Sequence, residues 1–141
     1  GGKGWLDSGI YKKAEELGRG DLVKFTEYVP DEMLCPLMCG ALAFVFPSIY
    51  EGFGMPPLEA MACGVPVTAS DAASLPEVVG EDAVVTDPYS PEDIAAGLER
   101  LYTDEALRQR LKAAGPKRAA QFTWERSAEQ LYAVYQEACR E

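Results

Sequence analysis

The sequence contains no histidine, which excludes an imidazole acid or base supplied by these 141 residues. It also contains no Asp-x-Asp pair and no other obvious cluster of oxygen ligands for magnesium or manganese. We therefore expect no bound metal ion, and a mechanism that needs a histidine must take it from outside this chain.

The sequence contains four cysteines, and their positions match no zinc-binding spacing. An intracellular protein would keep cysteines as thiols. We interpret them as packing residues rather than as metal ligands. They are Cys35, Cys39, Cys63 and Cys139.

Long apolar runs and basic clusters are also missing. The longest apolar run, Ala41 to Pro47, is far shorter than the roughly 20 residues of a membrane-spanning helix, and the first residues lack a signal-peptide pattern. With 23 acidic and 13 basic residues, the net charge of -10 would repel a phosphate backbone. These features predict one soluble cytoplasmic domain that does not bind nucleic acid.

Short β-rich runs alternate with helical patterns, which predicts a parallel sheet covered by helices. The predicted strands are Val23–Val29, Leu42–Phe46, Val65–Ala69 and Ala83–Thr86. The predicted helices, with a kink or break at Gly115–Pro116, are Ser8–Leu17, Asp31–Gly40, Pro56–Cys63, Leu75–Val79, Pro91–Tyr102, Glu105–Gln121 and Trp124–Cys139.

Hydroxyl side chains mark the starts of the last three helices. Ser90, Thr103 and Thr123 are the predicted N-caps. In the last helix an apolar stripe recurs at helical spacing, and we expect it to be buried on this domain or on a neighbouring one, with core packing favoured. The stripe consists of Trp124, Ala128, Leu131, Tyr132 and Tyr135.

The chain opens in an unusual way. Gly1 to Trp5 is typical of a loop that follows a strand, yet no strand precedes it, so the sequence enters an α/β unit halfway through. Lys3 in this loop is interpreted as a solvated lysine, with a cation near a binding site as the alternative.

A glycine turn follows the second predicted strand, at the edge of the sheet where ligands bind in parallel α/β folds. Gly52 and Gly54 allow a tight turn, and Pro56 and Pro57 suit the first turn of a helix. Free N–H groups at a helix start favour a phosphate. The turn therefore predicts a phosphate site.

Two carboxylates flank this turn, at Glu51 and Glu59, with seven residues between them. Glu59 would lie inside the helix, where a carboxylate can accept two hydrogen bonds from a ribose diol, and Glu51 would reach a more distal group. A nucleotide sugar combines these chemistries. A glycine turn before a helix is also common as plain structure, so the spacing by itself fits both interpretations.

Several stretches carry a resemblance to a known family. They are FPSIYEGFGMPPLEAMACGVPVTASDAASLPEVVG, DPYSPEDIAAGL and FTWERSAEQLYAVY, with GGKGWL and VKFTEYVPDEMLCPLMCGALAFVFPS matching as well. Together they resemble the C-terminal part of the retaining group 1 glycosyltransferases, also called family 4, which have a two-domain B-type architecture. The resemblance covers nearly the whole chain and implies a Rossmann-like α/β fold.

The resemblance also implies roles for individual residues. Glu51 is the catalytic candidate and would contact hydroxyl groups of the donor sugar, while Glu59 would bind the ribose. Backbone amides of Phe53, Gly54 and Met55 would lie near the sugar and the diphosphate. The donor-binding set is Glu51, Gly52, Phe53, Gly54, Met55 and Glu59. The segment Asp71–Glu77 would line the same rim, although a loop-capping role suits its polar residues equally well.

Parts of the family pattern are missing from this sequence. The family's first strand, the arginine and lysine that follow it, and the N-terminal acceptor-binding domain have no counterpart here. We therefore expect residues 1–141 to form a partial C-terminal domain. If the strand order is 3-2-1-4-5-6, Val23–Val29 has lost its neighbour in the sheet.

The expected function is transfer of a hexosyl unit from a nucleotide-diphosphate sugar to a glycan or lipid-linked acceptor, with retention at the anomeric carbon. The nucleotide sugar is a substrate, and no cofactor is implied. Peripheral attachment to a membrane through the absent domain is compatible with this function. Two alternatives stay open: a glycosyl phosphorylase or sucrose-synthase-like member of the superfamily, and a nucleotide-binding module without catalysis.

Overall fold

The computed structural model describes residues 8–19 and 21–140. The chain divides into two units, Gly1–Pro36 and Leu37–Glu141. In chain order the elements are α1 (Ser8–Glu16), α2 (Asp31–Cys39), β1 (Phe44–Phe46), α3 (Met55–Ala62), β2 (Val67–Ser70), α4 (Leu75–Val79), β3 (Val84–Thr86), α5 (Pro91–Thr103), α6 (Glu105–Ala119) and α7 (Trp124–Ala138).

The first unit contains α1 and the segment that was predicted to be the first strand. Residues 23–29 form no strand in the described chain, so this prediction was wrong. A strand needs a neighbour to receive its hydrogen bonds, and none of the described strands pairs with this segment. The opening loop 1–5, with Lys3, lies outside the described residues.

The second unit contains a three-stranded parallel sheet in the order β1-β2-β3. Phe44 lies opposite Val67, and Thr68 lies opposite Val84. Each strand is one or two residues shorter than predicted, because only the residues that pair with a neighbouring strand belong to the sheet. Helices connect the strands, so the predicted Rossmann-like α/β fold is confirmed.

The core lies between β2 and the helices that pack on it. All four residues of β2 are buried, as expected for the central strand of a parallel sheet. Helix α3 packs against α6, where a Cβ atom on Gly115 would lie 3.0 Å from the Met61 carbonyl oxygen. Packed in this way, α6 continues as one helix through Pro116. Of the predicted kink or break at Gly115–Pro116, the break was therefore wrong and the kink stays a prediction.

The helix caps agree with prediction in two of three cases. Ser90 accepts a hydrogen bond from the Asp93 N–H, and Thr123 accepts one from the Arg126 N–H. Thr103 is instead the last residue of α5. Asp104 caps α6 by accepting from the Leu107 N–H at 2.8 Å, because its carboxylate is the better acceptor at that position.

Helix α7 has no buried residue in the described chain. Trp124 is 82% exposed and Leu131 is 53% exposed. The expectation that this stripe packs into the core was therefore wrong. An amphipathic pattern specifies a helix with an apolar face but does not specify what covers that face.

The four cysteines differ in their burial. Cys63 is half-buried and packs against the core, whereas Cys35, Cys39 and Cys139 are exposed, so the packing interpretation is confirmed for Cys63 only.

Within the described part of the chain, every helix is too short or too polar to cross a bilayer.

Candidate functional site

The glycine turn lies between the carboxyl end of β1 and the start of α3. Gly54 is the N-cap residue of α3 and has left-handed backbone angles, φ 106° and ψ 53°. A Cβ atom at this position would lie 2.5 Å from Leu75 Cδ2. Because both the backbone and the space exclude a side chain, the turn requires glycine at position 54.

The start of α3 offers few N–H donors. Met55 is the first helical residue, and Pro56 and Pro57 follow it in the first turn. Proline has no N–H, so Gly54 and Met55 supply the donors at this helix end. The positive end of the helix dipole adds to their attraction for an anion.

Glu51 lies in the turn and is partly buried. Its Oε1 atom accepts a hydrogen bond from Ser48 Oγ at 2.9 Å. The carbonyl oxygen of Ser48 in turn accepts from the hydroxyl of Ser70, the last residue of β2. The carboxylate is thus oriented from the rigid end of the central strand, which gives it a defined position at the edge of the sheet.

Glu59 lies in the second turn of α3 and is exposed. Its neighbours Leu58 and Ala60 are buried, so α3 turns its apolar side to the core and Glu59 to the solvent. The described chain provides no hydrogen bond or ion pair to its carboxylate. Glu59 is therefore available to a ligand that approaches the start of α3.

Phe53 projects from the turn and is 40% exposed. Its ring meets the ring of Phe122 edge-on, with centroids 5.6 Å apart. Arg118 lies over the Phe122 ring at 5.0 Å, and its Nε donates to the Val78 carbonyl oxygen at 2.9 Å. Residues from α4 and from the α6–α7 connection therefore support one side of the turn.

Ser74 contacts the turn from the beginning of α4. Its hydroxyl lies 2.9 Å from the Glu51 carbonyl oxygen and 2.8 Å from the Phe53 carbonyl oxygen. Sequence reasoning placed Asp71–Glu77 at this rim but did not single out Ser74. Ser70 and Phe122 were missed as well, since each depends on a contact between distant parts of the chain. Ser48 was also missed, although its contact with Glu51 is only three residues away.

A cavity of about 250 Å³ opens at the start of α7 rather than at the glycine turn. Glu77, Arg118 and Arg126 are among its lining residues. Arg118 is engaged with Val78, and Arg126 Nη1 donates to the Gln121 carbonyl oxygen at 3.1 Å. These arginines hold the local structure together, so we do not assign the donor site to this cavity.

Comparison with known proteins identifies the family. The sequence model described as Glycosyl transferases group 1 matches residues 1–118, which is well over half of the chain. The chain belongs to the glycosyl transferases group 1 family. The predicted resemblance is therefore confirmed.

Three relatives illustrate the match. The chain is 42% identical over 135 residues to the O-antigen chain mannosyltransferase B of Escherichia coli, covering 96% of this chain and 35% of that protein. It is 32% identical to the sucrose-phosphate synthase from Thermosynechococcus elongatus, with a TM-score of 0.81 over 93% of this chain and 34% of that one. The chain thus spans about a third of the length of these relatives.

The third relative is the C-terminal domain of a glycosyl transferase group 1 family protein (LpcC) from Francisella tularensis. Its structure is 29% identical, with a TM-score of 0.70, and the match covers 82% of this chain and 63% of that one. The fold described above is therefore found in a C-terminal domain of the same family.

Proposed function

We propose that this chain is the donor-binding part of a retaining glycosyltransferase, which transfers a hexosyl unit from a nucleotide-diphosphate sugar to a glycan or lipid-linked acceptor. The observation that carries the proposal is the juxtaposition at the carboxyl end of β1. There a turn that requires glycine presents the start of α3, and Glu51 is held beside it by Ser48. The mannosyltransferase relative supports a hexosyl donor.

Different residues would bind different parts of the donor. The N–H groups at Gly54 and Met55 and the dipole of α3 would bind the diphosphate and stabilise the charge that builds up as the nucleotide departs. Glu51 would hold the hydroxyl groups of the hexose, and Glu59 would hold the ribose. Catalysis by this part of the protein is then mainly electrostatic and positional. We propose that it needs neither a metal ion nor a cofactor.

Counter-charges for the diphosphate are needed in addition to these groups. Glu51 and Glu59 would repel the diphosphate if they faced it directly, so each carboxylate must face hydroxyl groups instead. We propose that the basic residues come from the remainder of this C-terminal domain and that the acceptor site is provided by a further domain of the full-length protein. The donor would then lie in a cleft between that domain and the glycine turn.

The test is a transfer assay with the full-length protein, using UDP-glucose and GDP-mannose as donor probes and a mixture of oligosaccharide and lipid-linked acceptors. We expect release of the nucleoside diphosphate with one donor, unchanged by EDTA, and an anomeric proton signal by NMR that shows retention. A product with inverted configuration would contradict the retaining assignment. Binding of nucleotide without transfer would favour a non-catalytic module.

A second candidate is transfer to a phosphorylated or free sugar, as the sucrose-phosphate synthase relative suggests. The same donor site would serve this reaction, because only the acceptor differs. Product analysis with a sugar phosphate, free sugar or inorganic phosphate as acceptor separates this candidate and a phosphorylase from the first.

A further inference from the structure

Ser74 is the N-cap residue of α4, yet its hydroxyl does not cap that helix. A serine at this position ordinarily accepts a hydrogen bond from the N–H of the second or third helical residue. The second residue of α4 is Pro76, which has no N–H, and Ser74 itself has helical angles, φ -79° and ψ -14°. The ordinary structural reason for a serine here is therefore missing.

The hydroxyl of Ser74 instead binds the glycine turn. Its oxygen is within hydrogen-bond distance of the carbonyl oxygens of Glu51 and Phe53, which lie 23 and 21 residues earlier in the chain. A serine hydroxyl has one hydrogen, which is shared between the two carbonyls or alternates between them. One side chain thus holds two peptide groups of the turn.

Holding these carbonyls also sets the direction of two N–H groups. The described chain has no cis peptide bond, and in a planar trans peptide the C=O and the following N–H point in opposite directions. The N–H groups of Gly52 and Gly54 therefore point away from Ser74. Neither has an acceptor among residues 8–19 and 21–140.

The direction of these N–H groups matters because the start of α3 has few others. Pro56 and Pro57 supply none. If the Glu51–Gly52 or Phe53–Gly54 peptide rotated, a carbonyl oxygen would take the place of the N–H and would repel an anion. Glycine residues in the turn make such a rotation sterically accessible, and the two contacts with Ser74 oppose it.

We propose that Ser74 is a positioning residue for the donor diphosphate. Its hydroxyl fixes the two carbonyls, and the N–H groups of Gly52 and Gly54 thereby face the bound nucleotide sugar. This inference rests on the proposed function of the turn and adds a residue that acts through the backbone without touching the ligand.

The experiment compares three variants of the full-length protein. Ser74→Ala removes the hydroxyl, Ser74→Thr keeps it, and Ser90→Ala removes a serine N-cap that does cap its helix and lies away from the turn. Calorimetry with UDP, GDP, ADP, CDP and dTDP gives the dissociation constant, and the melting temperature reports folding. We expect Ser74→Ala to weaken binding about 10-fold, as for one lost hydrogen bond.

The two other variants separate positioning from stability. Ser74→Thr should bind within about 3-fold of the wild type, because its hydroxyl can make the same contact. Ser90→Ala should lower the melting temperature and leave the dissociation constant unchanged. Wild-type affinity in Ser74→Ala, or a loss that Ser74→Thr does not restore, would overturn the inference alone. A wild-type protein that binds none of UDP, GDP, ADP, CDP and dTDP would overturn the proposed function and this inference with it.

Discussion

The glycine turn and helix α7 both have strong sequence signals, yet the turn is held by contacts with other elements whereas α7 is exposed. The turn is held by Ser74, by the Phe122 ring and by the close contact between Gly54 and Leu75. Helix α7 forms as predicted, but none of its described residues is buried. A glycine that must adopt a positive φ specifies a conformation, whereas an apolar stripe specifies a helix face without specifying whether another surface covers it.

The turn and α7 therefore differ in how completely the described chain fixes their surroundings. The turn is a place where backbone geometry is over-determined, and such places commonly serve a ligand. Helix α7, by contrast, has an apolar face that no described residue covers. The predictions below test the turn first and α7 last.

The largest effect is expected for Glu51→Gln, which keeps the shape of the side chain and removes its charge. Transfer by the full-length protein should fall by about 100-fold or more, because a positioned charge at the reacting sugar is lost. Glu99→Gln on the exposed side of α5 is the matched control and should transfer normally. Wild-type turnover in Glu51→Gln would remove this residue from the catalytic assignment.

Gly54→Ala should destabilise the protein by about 1–3 kcal/mol from backbone strain alone, with a further loss from the contact with Leu75. Gly52→Ala is the matched control, because a Cβ atom there meets nothing within 4 Å. Urea unfolding of both variants measures the difference. Equal stability of the two variants would show that the turn is not fixed in the way described.

These two glycines illustrate how far the sequence could predict the site. Glu51, Gly54, Glu59 and the start of α3 within one residue followed from the order of strand, glycine, proline and carboxylate. Their assignment to a donor site rests on this pattern together with the resemblance, and it stays a prediction. The contacts of Ser74 and Phe122 could not be predicted, because they join residues that only tertiary packing brings together.

In the fold as well, elements with local sequence signals were predicted, whereas features that depend on packing were not. Helices with a hydroxyl cap and an early proline, such as α5 after Ser90, were located within one residue at each end. Residues 23–29 have a strand-like composition but form no strand, since strand formation depends on a partner. The break at Pro116 was wrong because packing of α6 on α3 outweighed a local helix-breaking signal.

Glu59→Ala should weaken binding of the nucleoside diphosphate by about 10-fold, since hydrogen bonds from the ribose to a charged acceptor are lost. The melting temperature should change little, because the side chain is exposed. Calorimetry and thermal unfolding of the same sample measure both. A lower melting temperature with unchanged affinity would show that Glu59 serves only the start of α3.

The smallest effect is expected for Leu131→Ala in the exposed stripe of α7, within about 0.5 kcal/mol of the wild type. Leu101→Ala in α5 is the comparison, because Leu101 is fully buried and its loss should cost about 2–5 kcal/mol. Chemical unfolding of the full-length protein measures both. A loss above about 1.5 kcal/mol for Leu131→Ala would show that another part of the protein covers the stripe.

The most direct test of the donor-site assignment is amide hydrogen exchange of the full-length protein with and without the nucleotide sugar that it binds. The account predicts slower exchange in residues 48–59 when the donor is present, and unchanged exchange in α7. Protection at the start of α7, with residues 48–59 exchanging as in the free protein, would contradict the assignment and place the donor elsewhere.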